Sequence, residues 1–70
     1  MERQRVNSTN VRSIGYDATM STLEVEFQSG DVYQYFNVPD TVYAALMRAS
    51  SKGGYLNDHV KDRYRFRKVR

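Results

Sequence analysis

The side chains that could do chemistry are concentrated as basic residues toward the end of the chain. Residues 52–70 carry seven Lys or Arg against two Asp, whereas residues 1–51 carry four Arg against six Asp or Glu. A basic end on a body that is otherwise slightly acidic is typical of proteins that bind a polyanion. The alternative is a terminal charge cluster that only keeps the chain in solution.

Within this basic end, cationic and aromatic residues alternate. Tyr64 and Phe66 separate three arginines, so in an extended chain the rings and the guanidinium groups point to opposite sides. Arginine binds phosphate through two parallel hydrogen bonds and stacks on nucleobases. The cations that we expect to contact phosphates are Lys61, Arg63, Arg65, Arg67 and Lys68. The alternative is a solvated tail, and internal ion pairs of the arginines would argue against phosphate binding.

A second candidate is the loop at residues 50–54, which precedes a predicted helix. Its Lys52, Gly53 and Gly54 combine a cation with backbone N–H groups that no side chain shields. Such groups at a helix N-terminus can hold a phosphate. The spacing is not that of a P-loop. The alternative is a turn in which glycine serves only to end a helix.

Catalytic and metal chemistry are not expected from this sequence. It has no cysteine and one histidine, which excludes thiolate catalysis and the usual cysteine and histidine metal cages. His59 precedes Asp62 by three residues, but no nucleophile motif accompanies the pair. Glu24 and Glu26 have the plain alternation of a strand face directed to water. We therefore expect no catalytic residue, no metal and no cofactor.

Short strands and helices must position these residues. Alternating apolar residues and β-branched or aromatic runs predict three strands, and apolar residues at helical spacing predict two helices. The predicted strands span 11–17, 23–27 and 32–36, and the predicted helices span 41–50 and 55–63. Residues 1–10 have no periodic pattern and are expected to be a flexible lead-in.

The turn between the second and third predicted strands decides what the tyrosines do. A three-residue loop at residues 28–30 needs a positive φ only at Gly30, and we prefer it for that reason. Tyr33 then lies opposite Val25 and Tyr35 opposite Leu23, which puts both rings on the core face. A two-residue loop would shift the pairing by one residue and turn both rings outward, as a platform on which bases could stack.

These elements predict a single α+β domain over residues 11–70. Its architecture is a three-stranded antiparallel meander followed by an amphipathic helix and a second short helix, in two layers. The chain has 70 residues, a mass of 8.2 kDa and a net charge of +3. It contains neither an apolar run long enough to span a membrane nor a signal-peptide pattern at residues 1–7, so a cytoplasmic location is expected by default.

Six parts of the chain together follow the pattern of a known domain family, and they are Ser13–Asp17, Leu23–Phe27, Gly30, Tyr33–Tyr35, Val38-Pro39 and Ala49–Asn57. In these segments the chain resembles the KTSC domain family, which takes its name from a C-terminal extension of some lysyl-tRNA synthetases and also occurs as small bacterial proteins. The resemblance covers roughly residues 8–69, nearly the whole chain. It implies the fold, and its synthetase context suggests RNA as a ligand.

Together these observations predict a small non-enzymatic module that binds nucleic acid, with RNA preferred. The residues expected to bind are Lys52, Gly53, Gly54, Lys61, Arg63, Arg65, Arg67 and Lys68. The alternative is a protein–protein interaction module without a nucleic-acid ligand, which would dock a partner on an exposed strand edge or on the face of Val32 and Phe36. No membrane partner is expected.

Overall fold

The fold is a five-stranded antiparallel sheet with two helices packed on one face. A computed structural model describes all residues from Met1 to Arg70. The strands follow one another across the sheet in chain order, and both helices lie between the fourth and fifth strands in sequence. The elements are β1 (Gln4–Arg5), β2 (Val11–Asp17), β3 (Thr22–Phe27), β4 (Val32–Tyr35), α1 (Asp40–Arg48), α2 (Lys52–His59) and β5 (Phe66–Lys68).

The α+β class is confirmed, but the prediction of three strands was wrong because the sheet has two further edge strands. β1 pairs Gln4 with Ile14 and Arg5 with Ser13, inside the segment that was expected to be a lead-in. β5 adds the basic end of the chain to β4. Strands of two or three residues are too short to show a period-2 pattern, so neither was visible as a strand in the sequence. The flexibility of residues 1–10 stays a prediction.

The predicted register of the central hairpin is confirmed. Gly30 has a φ of +95°, and its N–H donates to the carbonyl of Phe27. The N–H of Phe27 in turn donates to the carbonyl of Asp31, which closes the three-residue loop. Leu23 therefore pairs with Tyr35 and Val25 with Tyr33. Both tyrosines lie on the side of the sheet that faces the helices.

α1 is amphipathic, and a side-chain hydrogen bond caps the N-terminus of α2. α1 starts directly after Pro39 and buries Leu46 completely. α2 starts at Lys52 rather than at Tyr55, because the side chain of Ser51 accepts a hydrogen bond from the N–H of Gly54 and caps the first turn. Gly53 and Gly54, which were predicted to end the first helix, therefore lie inside α2. Neither helix has the length and apolar character needed to cross a membrane.

The core lies between the helices and the inner face of the sheet. It contains the side chains of two central strands, one residue of β4 and the apolar residues of both helices, together with Val38 and Val60. None of its members exposes more than 5% of its surface, and they are Val11, Ile14, Leu23, Val25, Tyr35, Val38, Leu46, Leu56 and Val60.

The outer face of the sheet carries a buried polar network, contrary to the expectation that Glu24 and Glu26 face water. The two glutamates are only 7% and 8% exposed. Arg3 forms ion pairs with both carboxylates, and Arg12 lies 3.6 Å from that of Glu26. The hydroxyl of Ser13 donates to Glu26 over 2.8 Å. A strand's own alternation does not show what covers it, and here the cover is the N-terminal segment.

Gly15 allows this cover to lie directly on the sheet. A Cβ atom at this position would collide with the backbone carbonyl of Glu2 and would stand 3.0 Å from Cγ of Arg3. Glycine is therefore required here by the close approach of another stretch of backbone. The same approach brings the Arg3 guanidinium over the carboxylates.

Candidate functional site

A cleft of about 480 Å³ lies between α2 and the edge of the sheet formed by β4 and β5. Aromatic rings from the sheet form one wall, and residues of α2 and of the turn that follows it form the other. Its lining residues are Phe27, Tyr33, Tyr35, Phe66, Leu56, Gly53, Asn57, Lys61 and Asp62.

The sheet register assembles the aromatic wall. Tyr33 and Tyr35 are two residues apart on β4, so both rings stand on one face. The Tyr33 ring lies 5.8 Å from the ring of Phe27, 6.4 Å from that of Tyr35 and 5.8 Å from that of Phe66. Phe66 reaches this position because β5 pairs it with Tyr35, and their ring centroids are 6.1 Å apart.

The helices cover only part of this wall. Tyr35 is 5% exposed beneath them, whereas Phe66 is 56% exposed and Tyr33 is half-buried. The tyrosines thus lie on the core face, as the loop geometry predicted, but Tyr33 belongs to its open margin. The result is a patch of aromatic surface that continues the hydrophobic core out to solvent. Large exposed apolar side chains that adjoin a cavity are typical of binding sites.

The cleft also contains hydrogen-bonding groups. Burial raises the pKa of Tyr35, and the neighbouring Tyr33 raises it further, so this hydroxyl stays protonated and can donate. The Tyr35 hydroxyl has no hydrogen-bond partner in the protein. Because every side-chain oxygen that solvent cannot reach does have such a partner, the Tyr35 hydroxyl must be accessible to solvent. Asn57, Lys61 and Asp62 are exposed at the rim. A ligand would therefore meet rings at the floor and both donors and acceptors at the rim.

Two arginines beside the cleft form no ion pair within the protein. Arg63 and Arg65 line a shallow hollow together with Asp62, Tyr64 and Phe66, so this hollow shares two residues with the cleft. The ion pairs of the protein involve Arg3, Arg12 and Lys68, and none involves an arginine of the basic end. Internal ion pairs of these arginines, which would argue against phosphate binding, are therefore not observed.

The fifth strand divides the basic residues between the two faces of the sheet. Lys68 pairs with Tyr33 and shares the cleft side with Phe66, where its ammonium lies 3.4 Å from the carboxylate of Asp31. Arg67 pairs with Gln34 and belongs to the opposite face, which also carries Glu24. Arg67 is therefore separated from the cleft. Lys61 lines the cleft, Arg63 and Arg65 line the adjoining hollow, and Lys68 lies on the cleft side of β5.

The predicted Lys-Gly-Gly anion site is not open in the structure. The ammonium of Lys52 donates to the carbonyls of Ala49 at 2.7 Å and Met47 at 3.2 Å, where it caps the C-terminus of α1. The N–H of Gly54 is bonded to the side chain of Ser51 at 3.1 Å. Of these three residues only Gly53 lines the cleft, and a Cβ atom there would meet the side chain of Asn10 at 3.1 Å. Lys52 and Gly54 thus have structural roles within the two helices.

Other residues considered for chemistry are not assembled into a site. His59 packs its ring on that of Tyr55 at a centroid distance of 4.6 Å and is exposed. No group of three His, Asp or Glu side chains comes close enough to hold a metal ion. Four further residues line the cleft without having been predicted as site residues: Phe27, Leu56, Asn57 and Asp62. The only signals in the sequence were strand alternation, which placed Phe27 on an inward face, and helical spacing, which did the same for Leu56.

Comparison with known proteins gives consistent results for the whole chain. The KTSC domain family matches residues 7–64. A protein of Stutzerimonas stutzeri is 41% identical over 70 residues, which is 99% of each chain. The crystal structure of a KTSC domain protein from Yersinia pestis superposes with a TM-score of 0.95 at 36% identity, covering 99% of this chain and 97% of that one.

One group of relatives is much longer than this chain. A lysine–tRNA ligase of Trichormus variabilis is 39% identical over 59 residues, which is 84% of this chain but only 10% of the ligase. The ligase of Nostoc punctiforme gives 37% identity over the same shares. In these ligases the similar region is thus a small part of the polypeptide.

Proposed function

The chain belongs to the KTSC domain family, and from this premise we propose that it is a non-enzymatic nucleic-acid-binding module with a preference for RNA. The proposed interface combines the aromatic cleft with the cations beside it. The backbone phosphates would contact Arg63 and Arg65 together with Lys61 and Lys68, as the charge of the basic end favours.

The observation that carries this proposal is that arginines without acidic partners and an exposed ring line the same hollow. Arg63 and Arg65 lack acidic partners and border the same hollow as Phe66, which is 56% exposed. Binding sites for single-stranded nucleic acid combine a basic track for the backbone with rings on which bases stack. Both components are present here within one continuous surface.

The longer relatives support RNA over DNA as the ligand. Their name assigns tRNA as a substrate of the whole ligase, and the region similar to this chain is 10% of that protein. A small module in such an enzyme could add contacts to RNA without taking part in the reaction.

The test is a binding titration with a fluorescently labelled, mixed-sequence single-stranded RNA and its DNA counterpart, followed by anisotropy at several salt concentrations. Three to five phosphate contacts predict a log–log salt slope of about −2 to −3.5. The double variant Arg63→Gln/Arg65→Gln should weaken binding and flatten the slope by about 1.4, which corresponds to two lost contacts.

A charge-matched control separates contact from general electrostatics. Arg5→Gln/Arg48→Gln removes the same charge from two exposed positions outside the cleft and its adjoining hollow. We expect this control to bind almost as the parent does. Absence of binding at the lowest salt, or equal losses in both double variants, would reject the proposed interface.

A second candidate function is docking of a protein partner on the edge of the sheet. All three residues of β5 are exposed, and its outer edge is not paired with another strand. Such an edge can accept an extended segment of a partner. The face of Val32 and Phe36 offers less, because Val32 is 2% exposed and Phe36 is half-buried. A reproducible partner that survives nuclease treatment of a bacterial lysate would favour this function.

A further inference from the structure

Building on the proposed function, we infer that the aromatic cleft receives one unpaired nucleobase, so that the module selects single strands over duplexes. The site is the open margin of the aromatic wall, where Phe66 and Tyr33 meet at a centroid distance of 5.8 Å. A planar base would lie against the exposed Phe66 ring and continue this series of packed rings outward.

The size of the cleft suits one base and excludes a base pair in its helix. Its volume of about 480 Å³ lies in the lower part of the range for small-molecule pockets, about 300–1,000 Å³. Bases of a duplex are stacked and paired inside the helix, so that their faces cannot reach a ring in a recessed site. An unpaired base has a free face and a free edge, and it can enter.

The polar groups of the cleft match a base edge. The Asn57 side chain supplies both a donor and an acceptor, the Asp62 carboxylate supplies acceptors, and the Tyr35 hydroxyl supplies a donor. A purely apolar occupant, such as the side chain of a protein partner, would leave these groups without partners. Bases carry donors and acceptors around an apolar ring, as this lining requires.

Cations lie beside the cleft where the strand on either side of that base would run. Lys61 lines the cleft itself, and Arg63 and Arg65 border the hollow that adjoins it across Phe66. A phosphate on one side of the inserted base would thus meet Lys61, and one on the other side would meet the arginines. This is charge complementarity to a nucleotide chain, with the uncharged base between two phosphates.

The experiment uses a single-stranded RNA that contains one 2-aminopurine, whose fluorescence is quenched when the base stacks on a ring. The full chain should quench it, and the corresponding duplex should bind more weakly. Phe66→Leu keeps an apolar side chain on an exposed position, so the fold should persist. It should lower single-strand affinity by roughly 5- to 160-fold, the range for loss of one base–aromatic stack.

Two further variants make the result specific. Asn57→Ala changes an exposed rim residue without touching the core, and it should weaken single-strand binding while the salt slope is preserved. Met20→Ala removes a 67% exposed apolar side chain outside the cleft and should have no effect. Unchanged affinity in both Phe66→Leu and Asn57→Ala, or duplex binding as tight as single-strand binding, would overturn the inference while leaving the proposed function standing.

A separate measurement covers the case in which no polymer binds. Free nucleoside monophosphates are added to the labelled protein, and amide chemical shifts are followed. Shifts confined to residues of the cleft would support the base site even if the proposed polymer binding failed. No shift at the cleft up to millimolar monophosphate would refute the base site, and shifts produced there only by an added peptide would assign the cleft to a protein partner instead.

Discussion

Replacing Gly15 by alanine tests how the N-terminal segment is held on the sheet. The new methyl group would collide with the backbone carbonyl of Glu2 and crowd Cγ of Arg3. Comfortable carbon contacts lie at about 3.5–4.0 Å, so the segment would have to move away by on the order of 1 Å. That movement would disturb the pairing of Arg5 with Ser13 and the ion pairs of Arg3 with the buried glutamates.

The expected loss of stability follows from two opposing effects. Overpacking typically destabilises by about 1–3 kcal/mol. Alanine restricts the unfolded chain more than glycine does, which returns about 0.4–1 kcal/mol where the backbone geometry is compatible. The φ of Gly15 is not positive, so this second effect applies. We expect a net loss of about 1–2 kcal/mol, which lowers the Tm of a domain of this size by about 5–15 °C.

Thermal unfolding followed by circular dichroism measures this loss, and hydrogen exchange locates it. The N–H of Val6, which bonds to the carbonyl of Arg12 over 3.1 Å, should lose protection in the variant. Gly53→Ala is the matched control, because its Cβ would meet only the flexible end of Asn10 and alanine favours a helix. An unchanged Tm of Gly15→Ala, with Val6 still protected, would refute the reasoning.

Three other perturbations address the polar network, a helix cap and the core. The Ser13 hydroxyl, followed by the charges of Arg3 and Arg12, lowers the pKa of Glu26 below its ordinary 4.5. Glu26 therefore stabilises the fold above that value and less as the pH falls through the folded-state pKa. Ser13→Ala should consequently destabilise more at about pH 7 than at about pH 3, and equal urea-midpoint shifts at both would contradict this. Ser51→Ala removes the cap of α2 and should lower the free energy of unfolding by about 0.5–2 kcal/mol in chemical denaturation. An unchanged free energy of unfolding would contradict this role of the cap. Leu46→Ala, at a fully buried position, should lose about 2–5 kcal/mol, and a smaller loss would mean that the core closes around the cavity.

The central hairpin could be predicted from sequence because one residue decides its geometry. Only Gly30 tolerates the positive φ that the three-residue loop requires, and this choice fixes every pairing along β3 and β4. The inward direction of Tyr33 and Tyr35 follows from the period of two. Local rules were sufficient here because loop and strands are neighbours in sequence.

The buried glutamates show where local rules stop. Glu24 and Glu26 alternate with apolar residues in the way that predicts an exposed face, and their own strand contains nothing to contradict this. Arg3 covers them from a segment with no periodic pattern, and it can do so only because Gly15 has no side chain. A carboxylate pair on one strand and an arginine near the start of the chain give no signal of contact in sequence.

The candidate site was predicted in its components but not in its assembly. The basic residues and both tyrosines were identified, whereas the cleft depends on β5 returning to β4 after two intervening helices. That pairing places Phe66 against Tyr33 and Tyr35 and turns Arg67 to the other face. The hydrogen bond of the Lys52 ammonium to a carbonyl at the end of α1 was also not predicted, because a composition-based argument does not consider the carbonyls at a helix terminus.

The cover of the sheet by the N-terminal segment has a consequence for how such a module could be tethered. Met1 lines a hollow on the outer face with Arg12 and Glu26, whereas residue 70 continues β5 along β4. A longer polypeptide attached through the first residue would therefore adjoin the outer face, with the aromatic cleft on the opposite side of the sheet. Attachment through the last residue would instead bring the neighbouring domain alongside β5, where it could shield the opening or extend its walls.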